Sequence, residues 1–144
     1  LTVGTDAQRL TMLLAILHRH VTLSTYDQDV FLNAVGGIKI NETASDLAVL
    51  IAIVSSMTNQ AVSSKTAIFG EVGLGGEIRP VSRGQERIKE ASKLGFKRII
   101  VPLKNKASDI PDVEIIGVDN LRDAVKVVFG SNRVKNDEQI YPDE

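Results

Sequence analysis

The sequence predicts an α/β domain of two layers, an α+β arrangement in which a mixed sheet with a hairpin is flanked by helices. Three observations carry the prediction. Four stretches repeat apolar residues at the spacing of a helix face, short apolar runs lie between them, and a glycine-rich segment joins two of those runs as a hairpin would. Length fits one domain, since 144 residues bury about two-thirds of the surface they expose unfolded. The folded part is expected over residues 1–130, with 131–144 as a polar tail without apolar periodicity.

The elements follow in order. Thr5 or Asp6 can cap a first helix, because each offers a side-chain oxygen just before Leu10, Leu13, Leu14 and Leu17 recur at helical spacing. Residues 29–35 read as a strand, and Gly36-Gly37 turns the chain into Ile38-Lys39-Ile40. Thr43 with Asp46 resembles a capping box with Asp in place of Glu or Gln, ahead of a helix whose inner face is Leu47, Leu50, Ile51, Val54 and Met57 and which ends near Thr58-Asn59. Residues 66–72 read as one strand, Gly73 to Gly76 permit the positive φ of a hairpin, and 77–79 return. Ser82 and Gln85 form a second capping-box pattern, with Ile88, Ala91 and Leu94 facing inward and Gly95 closing the helix. Residues 97–101 and 113–118 are short buried strands, and 120–129 a last amphipathic helix.

Composition narrows the function classes. At 43% hydrophobic and 24% charged, with no apolar run long enough to span a bilayer, the chain reads as globular, with no membrane partner. It opens on Leu1 rather than Met, as a cut fragment would, and shows no signal peptide. The absence of cysteine rules out disulfides and thiolate metal sites and fits a cytosolic setting. His18 and His20 are two apart, so on a helix they diverge rather than clamp one metal. Net charge is −1, but unevenly placed: between Arg79 and Lys106 nine basic residues meet two acidic ones, giving +7 there and −8 elsewhere. Such asymmetry points to an anionic partner.

Four features could carry chemistry, and each has a plain alternative. Nucleophilic catalysis would need a serine beside a base; Ser45 is the candidate and Lys39 the nearest lysine in sequence, but Thr43, Ser45 and Asp46 organising a helix start accounts for the same residues better. Phosphate binding by Gly70 to Gly76 lacks both the Lys-Ser/Thr ending of a P-loop and the G-x-G-x-x-G order, so a hairpin accounts for it better. In the basic segment Arg83 and Arg87, and Lys89 and Lys93, are four apart and share a helix side, as contacts to a phosphate backbone need. Glu86 and Glu90 between them also fit a solvated face. The first helix holds more leucine, isoleucine and methionine than one stripe requires, which serves either self-association or burial in its own core.

Several blocks occur together and in order: Asp6 to Arg19, Asn33 to Lys39, Asn41-Glu42-Thr43-Ala44-Ser45-Asp46-Leu47-Ala48-Val49, Gly70-Glu71-Val72-Gly73-Leu74-Gly75-Gly76-Glu77-Ile78-Arg79-Pro80-Val81, and Leu94 to Pro102. Over residues 5–129 the chain resembles the Lon-family proteolytic domain, and most closely the C-terminal Lon-protease-like domain of the bacterial RadA (Sms) DNA-repair family. In active Lon domains a Gly-Pro-Ser-Ala-Gly stretch carries the nucleophile at a helix start, and the general-base lysine follows the Gly-Glu hairpin. The resemblance places Ala44 at the first position and Gln85 at the second, which implies a pseudo-protease, not an enzyme, without a cofactor in this chain. It further implies a part of a larger cytoplasmic protein that joins a zinc finger and a RecA-like ATPase (with ATP, magnesium and zinc), assembles as a homo-hexamer, and drives branch migration in DNA recombination after DNA damage. The implied partners are its own copies, single-stranded or branched DNA, and the recombinase RecA. The DNA-contact candidates are Arg79, Arg83, Arg87, Lys93, Lys97 and Arg98. A residual Ser–Lys peptidase using Ser45 and a pure oligomerisation module without DNA affinity remain the alternatives.

Overall fold

The computed structural model describes residues 2–3, 7–21, 32–33 and 42–130. Of the strand expected over 29–35 only β2 (Leu32–Asn33) is described, paired in parallel with β1 (Thr2–Val3). The Gly36-Gly37 turn, the run 38–40 with Lys39, the Thr5 and Asp6 caps and the tail 131–144 lie outside the described residues.

Helix α1 (Ala7–His20) buries Leu10, Leu13, Ile16 and Leu17, while Met12 and Leu14 pack partly buried against the same cluster. The surplus apolar surface that left self-association open is therefore largely spent within the domain. Helix α2 (Asp46–Thr58) follows a 3-10 turn over Thr43–Ser45 and closes on Asn59, whose φ of 55° lets Gln60 N donate to Ser55 O at 3.0 Å. Helix α3 (Gly84–Lys93) ends in the same way on Gly95 (φ 96°), with Phe96 N donating to Ala91 O. Helix α4 (Leu121–Phe129) is capped by Asn120, whose side chain accepts from Asp123 N at 2.9 Å.

The remaining strands divide into a parallel sheet, in the order β3 (Thr66–Ile68), β6 (Arg98–Pro102) and β7 (Glu114–Val118), and an antiparallel hairpin of β4 (Glu71–Val72) with β5 (Ile78–Arg79). Parallel and antiparallel pairing are thus both present, but in separate sheets among the described residues rather than in one mixed sheet. The single strand expected over 66–72 is in fact two, because the chain changes partner at Phe69-Gly70. A Cβ on Gly70, at φ 154°, would stand 3.0 Å from Ile78 Cγ2 and 3.3 Å from Pro102 Cγ, so only glycine fits the corner between sheet and hairpin.

Strand β6 is the centre of the fold. Ile99, Ile100 and Val101 are all fully buried, as a parallel strand covered on both faces must be. Side chains alternate along it: Ile100 joins the cluster built by α1, α2 and α4, while Ile99 and Val101 join Phe69, Ile115 and Ile88 of α3. The α/β class stands, with helices on both faces of the sheet where the sequence reading expects two layers. Each buried isoleucine contributes about 1.5–3 kcal/mol relative to exposure. Leu94, expected to face inward, is 70% exposed: as the residue that ends α3 it leaves the apolar stripe where the helix stops. No helix of the described residues is long and apolar enough to cross a membrane.

Candidate functional site

Neither capping box forms, and in each case the side chain is used elsewhere. Ser45 Oγ donates to Glu42 O at 2.7 Å, and no side chain caps α2. Asp46 instead turns inward: its Oδ1 accepts from Arg9 Nε at 2.9 Å, and its Oδ2 from both Arg9 Nη2 and Val72 N. The carboxylate is 2% exposed, and a guanidinium, a backbone N–H and the positive end of α2 replace the water it has lost. Before α3 the residue ahead of the helix is Arg83, held at φ 58° with no side-chain cap, and Gln85 Nε2 donates to Asn105 O.

These contacts settle what Ala44 and Gln85 do locally. Ala44 is buried in the 3-10 turn, its carbonyl accepting from Gly70 N at 2.8 Å while Leu47 N donates to Gly70 O at 3.0 Å. The start of α2 is thereby stitched to the corner of the hairpin. Gln85 belongs to a second stitch: Asn105 accepts from Val81 N through Oδ1 (2.8 Å) and donates to Val81 O through Nδ2 (3.1 Å), closing β6 onto the entry of α3. An ion pair from Arg87 to Glu42 brings α3 against the segment that precedes Ala44. A methyl group and an amide therefore occupy the two positions where the resemblance puts a nucleophile and a base, and neither can transfer a proton near neutral pH. Ser45 is committed to a carbonyl, and Lys39 lies outside the described residues.

The basic segment separates by residue type. All four of its arginines meet carboxylates: Arg79 with Glu77 at 2.7 Å, Arg83 with Glu86 at 2.9 Å, Arg87 with Glu42, and Arg98 with Glu114 at 3.3 Å. Arg98 also donates to Val127 O at 2.6 Å, tying the start of β6 to α4. Its five lysines, Lys89, Lys93, Lys97, Lys104 and Lys106, are exposed, and none forms an ion pair among the described residues. Arg83 and Arg87 share one shallow cleft of about 370 Å³ with Glu86 and Glu90. The interleaved acids thus do what the plainer sequence alternative expects. Hydrogen bonding to Arg83 holds the Glu86 carboxyl below its usual 4.5, and that of Glu77 is lowered by its own backbone N–H and then by Arg79. Exposed pairs of this kind are screened by solvent and add little to stability.

Sequence reasoning missed the Arg9–Asp46 pair and the role of Asn105, because each partner lies far along the chain and no local pattern links them. Among the described residues no cluster of three or more histidine or acidic side chains is placed to hold a metal; His18 and His20 both lie in the last turn of α1.

Comparison with known proteins gives two results. The family model described as subunit ChlI of Mg-chelatase matches residues 12–105, well over half of the chain. The sequence is also similar to proteins named DNA repair protein RadA: 55% identical over 129 residues in Pseudomonas aeruginosa, covering 89% of this chain and 28% of that protein. In Escherichia coli the identity is 53% over 126 residues (87% and 27%), and in Bacillus subtilis 41% over 132 residues (90% and 29%). The chain therefore spans between a quarter and a third of the length of these relatives.

Proposed function

This chain belongs to the family whose model is described as subunit ChlI of Mg-chelatase, and from that premise we propose that it is the non-catalytic, Lon-like domain of a bacterial DNA repair protein of the RadA kind. Its work is assembly and contact with DNA. The observation that carries this reading is identity of 41–55% to proteins of that name across nearly the whole chain. Chelatase activity belongs to the protein for which the family is named; the RadA likeness covers more of this chain and supports the DNA repair reading.

Three features of the fold agree with a mechanical and electrostatic role. Ala44 and Gln85 are built into structural stitches rather than a reactive pair. Five exposed, unpaired lysines lie between β5 and β7, and lysine as a point charge replaces condensed counterions on phosphates without reading sequence. The four arginines, though paired, sit on labile surface pairs or at their edge. On this reading the partners are other copies of the domain in a hexameric ring, single-stranded or branched DNA, and through the whole protein the recombinase; the ATP, magnesium and zinc sites belong to its other parts, and the setting is the bacterial cytoplasm.

The test is fluorescence anisotropy of labelled single- and double-stranded DNA titrated with the chain across salt, with its mass in solution measured in parallel. Binding by a multimer should fall linearly with log salt, and Lys93→Glu with Lys97→Glu should weaken it for all sequences alike and flatten the slope by about 0.7–0.9 per lost contact. A well-formed ring without affinity for either DNA at low salt would reduce the domain to an assembly module.

A further inference from the structure

Seven arginines lie among the described residues, and five of them are ion-paired: Arg9, Arg79, Arg83, Arg87 and Arg98. The two that are not, Arg19 and Arg122, line the same cleft. That cleft has a volume of about 290 Å³ and is walled by Arg19 and His20 from the end of α1, Gly75 and Gly76 from the hairpin tip, and Asn120 to Arg122 from the start of α4. No carboxylate lines it; Asp119 and Asp123 nearby both accept from the Asn120 amide.

The three walls are fixed to one another. Leu121 N donates to Gly76 O at 2.8 Å, Ile78 N to Asp119 O at 2.9 Å, and His20 Nε2 donates to Leu74 O at 3.2 Å. Gly76, at φ 80°, is required here, because a Cβ would stand 3.0 Å from His20 Cγ. The two arginines are therefore brought to one cleft by the tertiary fold, from positions 19 and 122 of the sequence.

Helix electrostatics explains only part of the cluster. Arg19 complements the negative end of α1, as a basic residue in a last turn ordinarily does. Arg122 is the reverse: it is the second residue of α4, where the helix end is positive and a cation is disfavoured. The backbone donors of that end do not supply a site by themselves, since Leu121 N is used by Gly76 O and Asp123 N by Asn120 Oδ1. Arg122 is thus a cation at an unfavourable helix position that lines the same cleft as Arg19, and neither forms an ion pair among the described residues.

We propose that this cleft is a binding site for a phosphate oxyanion, held between the Arg19 and Arg122 guanidiniums, and that it is separate from the lysine-bearing segment. Guanidinium suits this ligand because its forked N–H groups bind two oxygens of one phosphate. The proposal deepens the DNA-contacting reading and rests on it only for the source of the phosphate, a strand backbone rather than a small free phosphate.

The test maps backbone amide shifts on the isotope-labelled chain titrated with a short oligothymidylate and, separately, with inorganic pyrophosphate, alongside anisotropy of Arg19→Gln/Arg122→Gln. Both ligands should move the amides of Gly75, Gly76 and Arg122. The double variant should bind oligothymidylate about tenfold more weakly, with a salt slope flatter by about 1.4, two contacts at ~0.7 each. Shifts in the cleft with pyrophosphate but no binding of oligothymidylate would uphold the site with a small phosphate as its ligand and defeat the DNA reading. Oligothymidylate binding that moves only the 79–106 segment, with Arg19→Gln/Arg122→Gln binding normally, would overturn the cleft and leave the DNA reading standing. Silence of the cleft amides towards both ligands overturns the proposal outright. Because the wild-type shifts answer by themselves, poor folding of the variant would not blunt the test.

Discussion

Removing the Asp46 carboxylate should be among the most damaging single changes available in this chain. Asp46→Ala deletes two charge-assisted bonds to Arg9 and leaves Val72 N, which Asp46 accepts from at 3.1 Å, without that partner in a residue only 2% exposed. Charge-assisted bonds contribute about 1.5–3 kcal/mol each and an unsatisfied buried N–H costs about 1–3. These terms overlap, and breaking a buried pair from one side costs about 3–5 kcal/mol in total. Arg9→Ala is milder. It strands the carboxylate, but Val72 N still donates to it and the start of α2 offsets up to ~1 kcal/mol; about 2–4 kcal/mol follows. In the double variant the lost pair is counted once, so the two changes should fall short of additivity by about 2 kcal/mol. Urea unfolding followed by circular dichroism reads all three variants. With a slope near ~2 kcal/mol per molar, Asp46→Ala should move the midpoint down by about 2 M. A shift below about 0.5 M, or strict additivity in the double variant, would show that the carboxylate is not the buried keystone between α1, α2 and the hairpin, and the reasoning would fail.

Further outcomes follow from other contacts. Gly84→Ala should cost about 1–3 kcal/mol, because a Cβ there meets the Asn105 side chain (Cβ at 2.9 Å), which is pinned by both bonds to Val81. Combining Gly84→Ala with Asn105→Ala should cost less than the sum of the two, a result that thermal melts can deny. Asn120→Ala removes the α4 cap and should lower stability by about 1 kcal/mol, with unchanged stability marking the cap as redundant. The folded Glu77 carboxyl lies below 4.5, so the stability it contributes is fully present above that value and is lost as pH falls through the lower folded one. The gap between wild type and Glu77→Gln should therefore hold constant above about pH 5 and close in acid; a gap that widens as pH drops would contradict the sign.

Features set by neighbours in sequence are legible from the residues alone. The cap at Gly95, the glycine hairpin, and the isoleucine run that becomes the twice-covered strand β6 all depend on a side chain and the backbone within a few residues of it. So does the chemistry that Ala44 and Gln85 cannot perform, which follows from residue type alone. The capping boxes fail for the converse reason: Asp46 and Gln85 have better partners elsewhere, Arg9 lying 37 residues away and Asn105 lying 20 away, and a buried charge takes the partner that best replaces water. The sequence likewise counts cations in one segment but cannot say which of them are already neutralised. By itself it determined the periodicities, the turns, the charge of the 79–106 stretch and the residue types at positions 44 and 85. Tertiary structure alone decided that the arginines there are paired, that Arg19 and Arg122 form no ion pair among the described residues, and that both open onto one cleft. Electrostatic pairing acts through space, and only folding sets the distances over which it acts.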